Sequence, residues 1–215
     1  MGNAGPPSGV AIFNPKTSSQ EGTVNNTSST VISETGLTTE QITKASRHLS
    51  ITRGFLVESV SGLSAAQWDF KPAHDVWSIA ENMEHIVLIE SSIHAIIESM
   101  SHVPEAAPAG NRSEMDDFIL HEVPKRSRKG KSPAQACPTH RWSGPEALHH
   151  FMERRDQSIR LLVTRRLREH VVAHPLFGPW DGYQWLLAAA SHGARHTAQI
   201  CEVKVHERFP RTPID

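Results

Sequence analysis

Four long stretches of the chain repeat apolar residues with the period of an α-helix. They cover about residues 38–62, 78–101, 143–169 and 181–207, and each places apolar side chains at three- and four-residue spacing along one face. No run of alternating apolar and polar residues predicts a β-strand. The pattern therefore predicts an all-α protein with four helices of about 24 to 27 residues each.

The start of each predicted helix carries the sequence pattern of a capping box. Ser, Thr or Asp is followed three residues later by Glu or Gln, in the pairs Thr38 with Gln41, Ser78 with Glu81, Ser143 with Glu146 and Asp181 with Gln184. The first side chain accepts a hydrogen bond from a backbone N–H of the first turn, and the second reaches back to the N–H of the cap residue. Because four start signals agree with four apolar periods, the predicted architecture is a four-helix bundle.

The short stretch of residues 63–77 is irregular, and two longer segments also lack a helical pattern. Residues 1–36 are rich in Ser, Thr, Asn, Gly and Pro, so we expect a disordered N-terminal tail before a bundle domain at residues 37–209. Residues 104–142 form a long connection between the second and third helices, and connections of this length are functional or disordered. The basic run KRSRKGK at residues 125–131 lies there without interleaved aromatic residues, so it is interpreted as a solvated loop rather than a nucleic-acid surface.

Charge, hydropathy and cysteine content narrow the functional classes. The net charge is −1, which favours no nucleic-acid or membrane partner, and no apolar run approaches the roughly 20 residues of a membrane span. The N-terminus also lacks the features of a secretory signal. Cys137 and Cys201 are far apart, so they form no disulfide framework, and Cys201 is interpreted as a packed thiol. Free thiols suit a reducing compartment, and we expect a cytoplasmic protein.

Histidine is the compositional outlier, with 14 copies. On a helical wheel of the fourth helix, His192 and His196 lie about 40° apart in the middle of the apolar face. Buried imidazoles need partners, and two nitrogens at positions i and i+4 suit a metal ion. The alternative is that each ring is hydrogen-bonded to a neighbouring residue, and the pair alone leaves both interpretations open.

A third histidine, His85, lies at the flank of the apolar stripe of the second helix. Three histidines from two facing helices, with a fourth position open to water, are typical of a catalytic rather than a structural metal site. His94 is predicted on the opposite face of this helix, and His102 in its fraying end. Gln199, one turn from His196, either hydrogen-bonds and orients a ligand ring or is a polar residue at a helix interface.

Arg155 is the candidate catalytic residue outside the histidines. It lies near the centre of the apolar stripe of the third helix, between Phe151 and Ile159. A guanidinium that points into a bundle needs an anion, which is either an internal carboxylate or an anionic group of a substrate. A side chain that reaches solvent along a helix edge is a third interpretation.

Three blocks of the sequence resemble the DinB-like (DinB/YfiT) superfamily. They are WSIAENMEHIVLIE around His85, the SPAQACP loop followed by a helix with an inward arginine, and HPLFGPWDGYQWLLAAASHGARHTAQICEV around His192 and His196. The resemblance covers about residues 40–208. It implies a four-helix bundle in which His85, His192 and His196 hold a divalent metal ion. A three-histidine site with water suits zinc, nickel and other transition ions.

The resemblance implies a metal site more directly than it implies a substrate, because members include S-transferases that use low-molecular-weight thiols, hydrolases and proteins of unknown activity. The first hypothesis is a metal-dependent enzyme that transfers a thiol or hydrolyses a small molecule, with the metal acting as a Lewis acid. The second is a non-catalytic metal-binding stress-response bundle, working as a homodimer or a sensor, with no substrate pocket beside the metal. The third is a bundle without metal, in which the three imidazoles diverge.

Overall fold

The computed structural model describes residues 33–103, 111–127 and 131–211. Its helices are, in chain order, α1 (Thr39–Val60), α2 (Ala65–Trp68), α3 (Ile79–Ser99), α4 (Arg112–Glu122), α5 (Gly144–Thr164) and α6 (Gly182–Lys204). Single turns of 3₁₀ helix cover Met100–His102 and Ala134–Ala136, and the strands β1 (Val171–His174) and β2 (Gly178–Asp181) form an antiparallel hairpin. The all-α prediction is confirmed, since α1, α3, α5 and α6 have 21 to 23 residues each.

The capping boxes explain why the long helices begin where they do. All four predicted boxes are present. In α3, for example, Ser78 Oγ accepts a hydrogen bond from Glu81 N at 3.1 Å, and Glu81 Oε2 accepts one from Ser78 N at 2.7 Å. A fifth box, Ser64 with Gln67, starts the short α2 in a stretch that was expected to be irregular. Caps supply partners for N–H groups that have none within the helix.

The four long helices pack in a closed ring. α1 packs on α5 and α6, and α3 packs on the same two helices from the other side. Two apolar clusters fill the ring: the first includes residues of α4 and of the hairpin, and the second includes Trp68 of α2. Burying apolar surface on both clusters is the main term that stabilises the fold.

Arg155 of α5 contacts the other three long helices, and it is 0% exposed. Its Nε and Nη2 donate to the two carboxylate oxygens of Glu90 in α3, at 2.9 and 3.1 Å. Nη1 donates to Thr52 Oγ1 and to the Leu49 carbonyl in α1, at 2.7 and 2.9 Å. Nη2 also donates to the Ala189 carbonyl in α6, at 3.2 Å. All five N–H donors of the guanidinium are therefore satisfied inside the protein.

The structure differs from the sequence prediction near the end of the third long helix. α5 ends at Thr164 rather than near residue 169, and residues 171–181 form the β-hairpin where no strand was predicted. Each strand has only four residues, which is too short for alternation to be visible in the sequence. Gly178 has a φ of 83° beside the turn, a conformation that glycine adopts without strain.

A second difference is α4, which lies inside the long connection of residues 104–142. Only Asp116 and Ile119 of this helix are buried, so it has no continuous apolar stripe that predicts a helix. Polar contacts add to the packing of Ile119 in the first apolar cluster: the Asp116 carboxylate accepts hydrogen bonds from Arg168 at 2.6 and 3.3 Å and from Gln184 at 3.1 Å. Arg168 also donates to Asp181, the cap residue of α6, at 2.7 Å.

Residues 1–32 of the predicted disordered tail lie outside the described residues. Residues 33–37 form a turn in which Ser33 N donates to the Leu37 carbonyl at 2.8 Å, and Leu37 is fully buried. Within the described ranges, no helix is long and apolar enough to cross a membrane.

Gly193 of α6 leaves room for the guanidinium of Arg155, because a Cβ there would lie 3.1 Å from Arg155 Nη2. Since five hydrogen bonds hold that guanidinium in place, we expect Gly193→Ala to lower the free energy of unfolding by about 1–3 kcal/mol, measured by urea denaturation. Gly54→Ala in α1 is the matched control, since nothing lies within 4 Å of a Cβ there and alanine favours a helix. If both substitutions stabilise the protein equally, the proposed constraint on Arg155 is wrong.

Candidate metal centre

His85 of α3 and His192 and His196 of α6 converge at one point between the two helices. One ring nitrogen of each lies within 4.8 Å of those of the other two. His85 and His196 are 4% and 5% exposed, and His192 is half-buried. The convergence follows from the helix geometry, because an i,i+4 pair on α6 presents two rings on one face and that face packs on α3.

A backbone carbonyl orients the ring of His85. Its Nδ1 lies 2.7 Å from the carbonyl oxygen of Ala136, in the 3₁₀ turn Ala134–Ala136. Because a carbonyl oxygen only accepts hydrogen bonds, Nδ1 carries the proton and donates. The lone pair of Nε2 is then directed at the other two histidines, as a metal ligand requires.

Glu84, the residue before His85 in α3, holds the loop that carries this carbonyl. It is 1% exposed, and its carboxylate accepts hydrogen bonds at 2.9 to 3.0 Å from the backbone N–H groups of Thr139 and His140 and from Arg141 Nε. His140 adopts a φ of 58° there, a conformation that is rare for residues other than glycine. One buried carboxylate thus positions the loop on which the orientation of the first histidine depends.

A side-chain amide orients the ring of His196. Its Nδ1 lies 3.0 Å from Oδ1 of Asn82, which is 0% exposed. Nδ2 of Asn82 donates to the Ser78 carbonyl at 2.8 Å, so the oxygen of the amide is the atom that faces the ring. Nδ1 of His196 therefore carries the proton, and Nε2 is left with a lone pair.

The three rings are neutral at neutral pH. Burial lowers the pKa of His85, and burial together with the charges of neighbouring groups lowers the pKa values of His192 and His196 well below the usual range. Neutral imidazole is the form that binds metal ions. The Nε2 atoms of His85 and His192 are 3.1 Å apart, close to the roughly 3.3 Å between nitrogens in a tetrahedral zinc site. These three histidines can therefore hold a divalent metal ion.

A cavity of about 900 Å³ opens beside the three histidines. Trp77 covers two of them from one side, with its ring centroid 4.8 Å from that of His85 and 6.2 Å from that of His196. Side chains of α3, α6, the hairpin and the loop after α4 complete the wall. A volume of this size accommodates a small molecule.

Two other residues predicted for the site have different partners. Arg155 is not part of the cavity wall, and its charge is matched by Glu90, so the structure supports the internal-carboxylate interpretation. Gln199 lines the cavity, but its Oε1 accepts a hydrogen bond from Arg126 Nη1 at 2.9 Å. Asn82, which was not predicted from the sequence, orients the ring of His196. Its position one helical turn before His85 on the same helix was the available signal.

One further sequence prediction is wrong, and two other residues have partners that the sequence did not predict. His94 was predicted on the face of its helix opposite His85, and that face is buried as well: His94 is 7% exposed and its Nε2 lies 2.8 Å from Ser158 Oγ of α5. Cys201 was expected to be packed but is exposed, since it lies on the face of α6 away from the histidines. Arg126 lies in the basic run that was interpreted as a solvated loop, and it pairs with Glu202 of α6 at 2.7 Å.

Four packed helices with three converging histidines define a helical protein with a candidate metal centre. Residues 48–200 match the DinB superfamily, and the chain belongs to that family, as the sequence predicted. The chain is similar to the uncharacterized protein YuaE of Bacillus subtilis (strain 168), with 25% identity over 148 residues that cover 67% of this chain and 88% of YuaE. No solved structure matches the chain significantly.

The role of Asn82 leads to a prediction about metal affinity. Asn82→Ala should weaken divalent-metal binding about 10- to 100-fold, because His196 loses the acceptor that fixes its protonation. Gln199→Ala is the control: it also removes a side-chain amide, but one that bonds to Arg126 rather than to a histidine, and the metal affinity should not change. Competition with a chromophoric chelator measures both, and Asn82→Asp, which keeps the acceptor, should restore binding. Equal losses in the two alanine variants would contradict the assignment.

Proposed function

We propose that this protein is a metal-dependent enzyme in which His85, His192 and His196 hold a divalent transition metal, zinc or nickel, and which acts on a small molecule by thiol transfer or hydrolysis. The observation that carries the proposal is the convergence of three neutral imidazoles beside a cavity of about 900 Å³. Structural metal sites are closed by four protein ligands, whereas catalytic sites keep one position open. Three histidines next to a cavity fit the catalytic kind.

The residues of the chain have defined tasks in this proposal. The Ala136 carbonyl and Asn82 keep the Nδ1 protons on His85 and His196, so that the Nε2 lone pairs are available to the metal. Trp77 covers two of the rings and limits the access of water to them. When bound, a divalent metal supplies a Lewis acid and lowers the pKa of a water or thiol that coordinates it.

The cavity also favours the enzyme over the non-catalytic alternative. A metal-binding stress-response bundle that works as a homodimer or a sensor needs no space for a substrate beside its ligands. The metal-free alternative requires the three imidazoles to diverge, whereas their nitrogens lie within 4.8 Å of one another. We place the activity in the cytoplasm, where low-molecular-weight thiols stay reduced, and both cysteines of this chain are free thiols.

Metal content tests the first half of this proposal. Protein purified without a histidine tag should contain about one equivalent of a divalent transition metal per chain by elemental analysis, and His85→Ala and His196→Ala should each lose it. His149→Ala is the control. The His149 side chain is 72% exposed on α5, so this variant should retain the metal. A wild-type protein that takes up no divalent metal and is equally stable with a chelator would refute the metal centre.

Activity tests the second half. Metal-loaded protein is incubated with an aromatic electrophile and a panel of cellular thiols, and separately with ester and amide substrates. We expect one of these reactions to be accelerated, and the acceleration should disappear with a chelator or in His196→Ala. A protein that holds its metal and accelerates none of the reactions would favour the non-catalytic alternative.

A further inference from the structure

α6 forms one wall along the whole cavity, and its side chains change in character along the helix. Residues at helical spacing face the cavity, in the order Trp185, His192, Arg195, His196, Gln199 and Glu202. At a rise of 1.5 Å per residue, Trp185 precedes His192 by about 10 Å and Glu202 follows His196 by about 9 Å. The histidines therefore lie between an apolar end and a charged end of the cavity.

The apolar end is built by α3 and the hairpin. Branched and aromatic side chains line it: Ile89, Ile93, Ile96, Phe177 and Trp180. His174 lies among them, with its ring centroid 4.1 Å from that of Trp180. Its Nδ1 accepts a hydrogen bond from Leu176 N at 3.1 Å, and burial lowers its pKa, so this ring is neutral too. Side chains of this kind can bind an uncharged, apolar group by excluding water.

The charged end combines two guanidinium groups with one carboxylate. Nε and Nη2 of Arg126 donate to the two carboxylate oxygens of Glu202, each at 2.7 Å, and Nη1 donates to Gln199. Arg195 Nη1 donates to the carbonyl of Lys125, the residue before Arg126. This contact brings the second guanidinium to the same loop, so two cations stand beside the carboxylate of Glu202.

The charges of the cavity wall do not cancel. Among the described residues, the lining cations are Arg126, Lys131 and Arg195, and the lining carboxylates are Asp75 and Glu202. These lining side chains therefore carry one excess positive charge. Apolar walls strengthen the attraction of such an excess for an anion, and a guanidinium matches the two oxygens of a carboxylate.

We propose that the cavity binds an amphipathic small molecule, with its apolar body against the isoleucines of α3 and the aromatic residues of the hairpin and a carboxylate or similar anionic group at Arg126 and Arg195. Glu202 occupies the anion position on Arg126 in the free protein, and the ligand displaces it. The histidines then face the middle of the bound molecule. That last statement rests on the proposed function, whereas the binding itself does not.

Three probes with the same eight-carbon chain separate charge from apolar contact: octane-1-sulfonate, octan-1-ol and octylammonium. Each is titrated calorimetrically into the full-length protein, with and without a chelator. The anionic probe is a sulfonate because sulfonates are poor ligands for transition metals. We expect the sulfonate to bind at least about tenfold more tightly than octylammonium in both conditions, as charge-assisted hydrogen bonds allow. Equal affinities for the three probes would overturn the anion site.

Three variants with opposite expectations locate the site. Arg126→Leu should weaken sulfonate binding about tenfold and leave octanol binding unchanged. Lys125→Leu is the matched control, since it removes the same charge from the same loop, but Lys125 pairs with Glu122 and does not line the cavity. Glu202→Gln removes the competing carboxylate and should strengthen sulfonate binding. Because a folding defect cannot strengthen binding, this variant tests the proposal even if Arg126→Leu folds poorly. Unchanged or weaker sulfonate binding in Glu202→Gln would overturn the proposal.

The two proposals fail in distinguishable ways. A protein that takes up no metal but prefers the sulfonate refutes the metal centre and supports the amphipathic cavity. A metal-loaded protein that does not distinguish the three probes refutes the amphipathic cavity and leaves the metal centre intact.

Discussion

The position of the four long helices depends on one buried guanidinium. Arg155 leaves α5 and bonds to α1, α3 and α6 at once, and every one of its donors has an acceptor. A buried ion pair of this kind adds little net stability over an apolar core, but it is costly to break, so it specifies the arrangement of the elements that share it. Its partners Glu90 and Ala189 lie within five residues of His85 and His192 along their helices. The spacing of the histidines is therefore set by a contact deep in the core.

The guanidinium of Arg155 in the core has hydrogen-bond partners that fix it, whereas the Nε2 atoms of the histidines face one another. A buried polar group without a partner costs free energy, and the structure satisfies the whole guanidinium of Arg155 and the Nδ1 atoms of His85 and His196. The Nε2 atoms of His85 and His192 are instead directed at each other across 3.1 Å. A proton on His192 Nε2 can bridge the two atoms, and a metal ion can take its place. Arg155 therefore belongs to the scaffold, whereas the three histidines can hold a metal ion.

The sequence predicted what local signals and a single buried face can determine. The long helices followed from caps and apolar periods, and the wheel placed His192 and His196 on the buried face. The burial of His94 was missed because a wheel assumes one buried side, whereas α3 is covered by both α5 and α6. α4 and the hairpin were missed because they depend on contacts such as Arg168 with Asp116, which are 52 residues apart in the chain. Such contacts have no periodic signature.

The carbonyl that orients His85 has a consequence for comparing relatives of this protein. Every amino acid carries a backbone carbonyl, so the contribution of residue 136 does not depend on its side chain; it depends on the path of the loop that Glu84 holds. Chains that differ at residue 136 can orient the histidine in the same way, provided that their main chain follows the same path. Percentage identity does not record whether two chains share this main-chain path. Two proteins as divergent as this chain and YuaE are better compared by the course of their backbones around the histidines than by the letters they share.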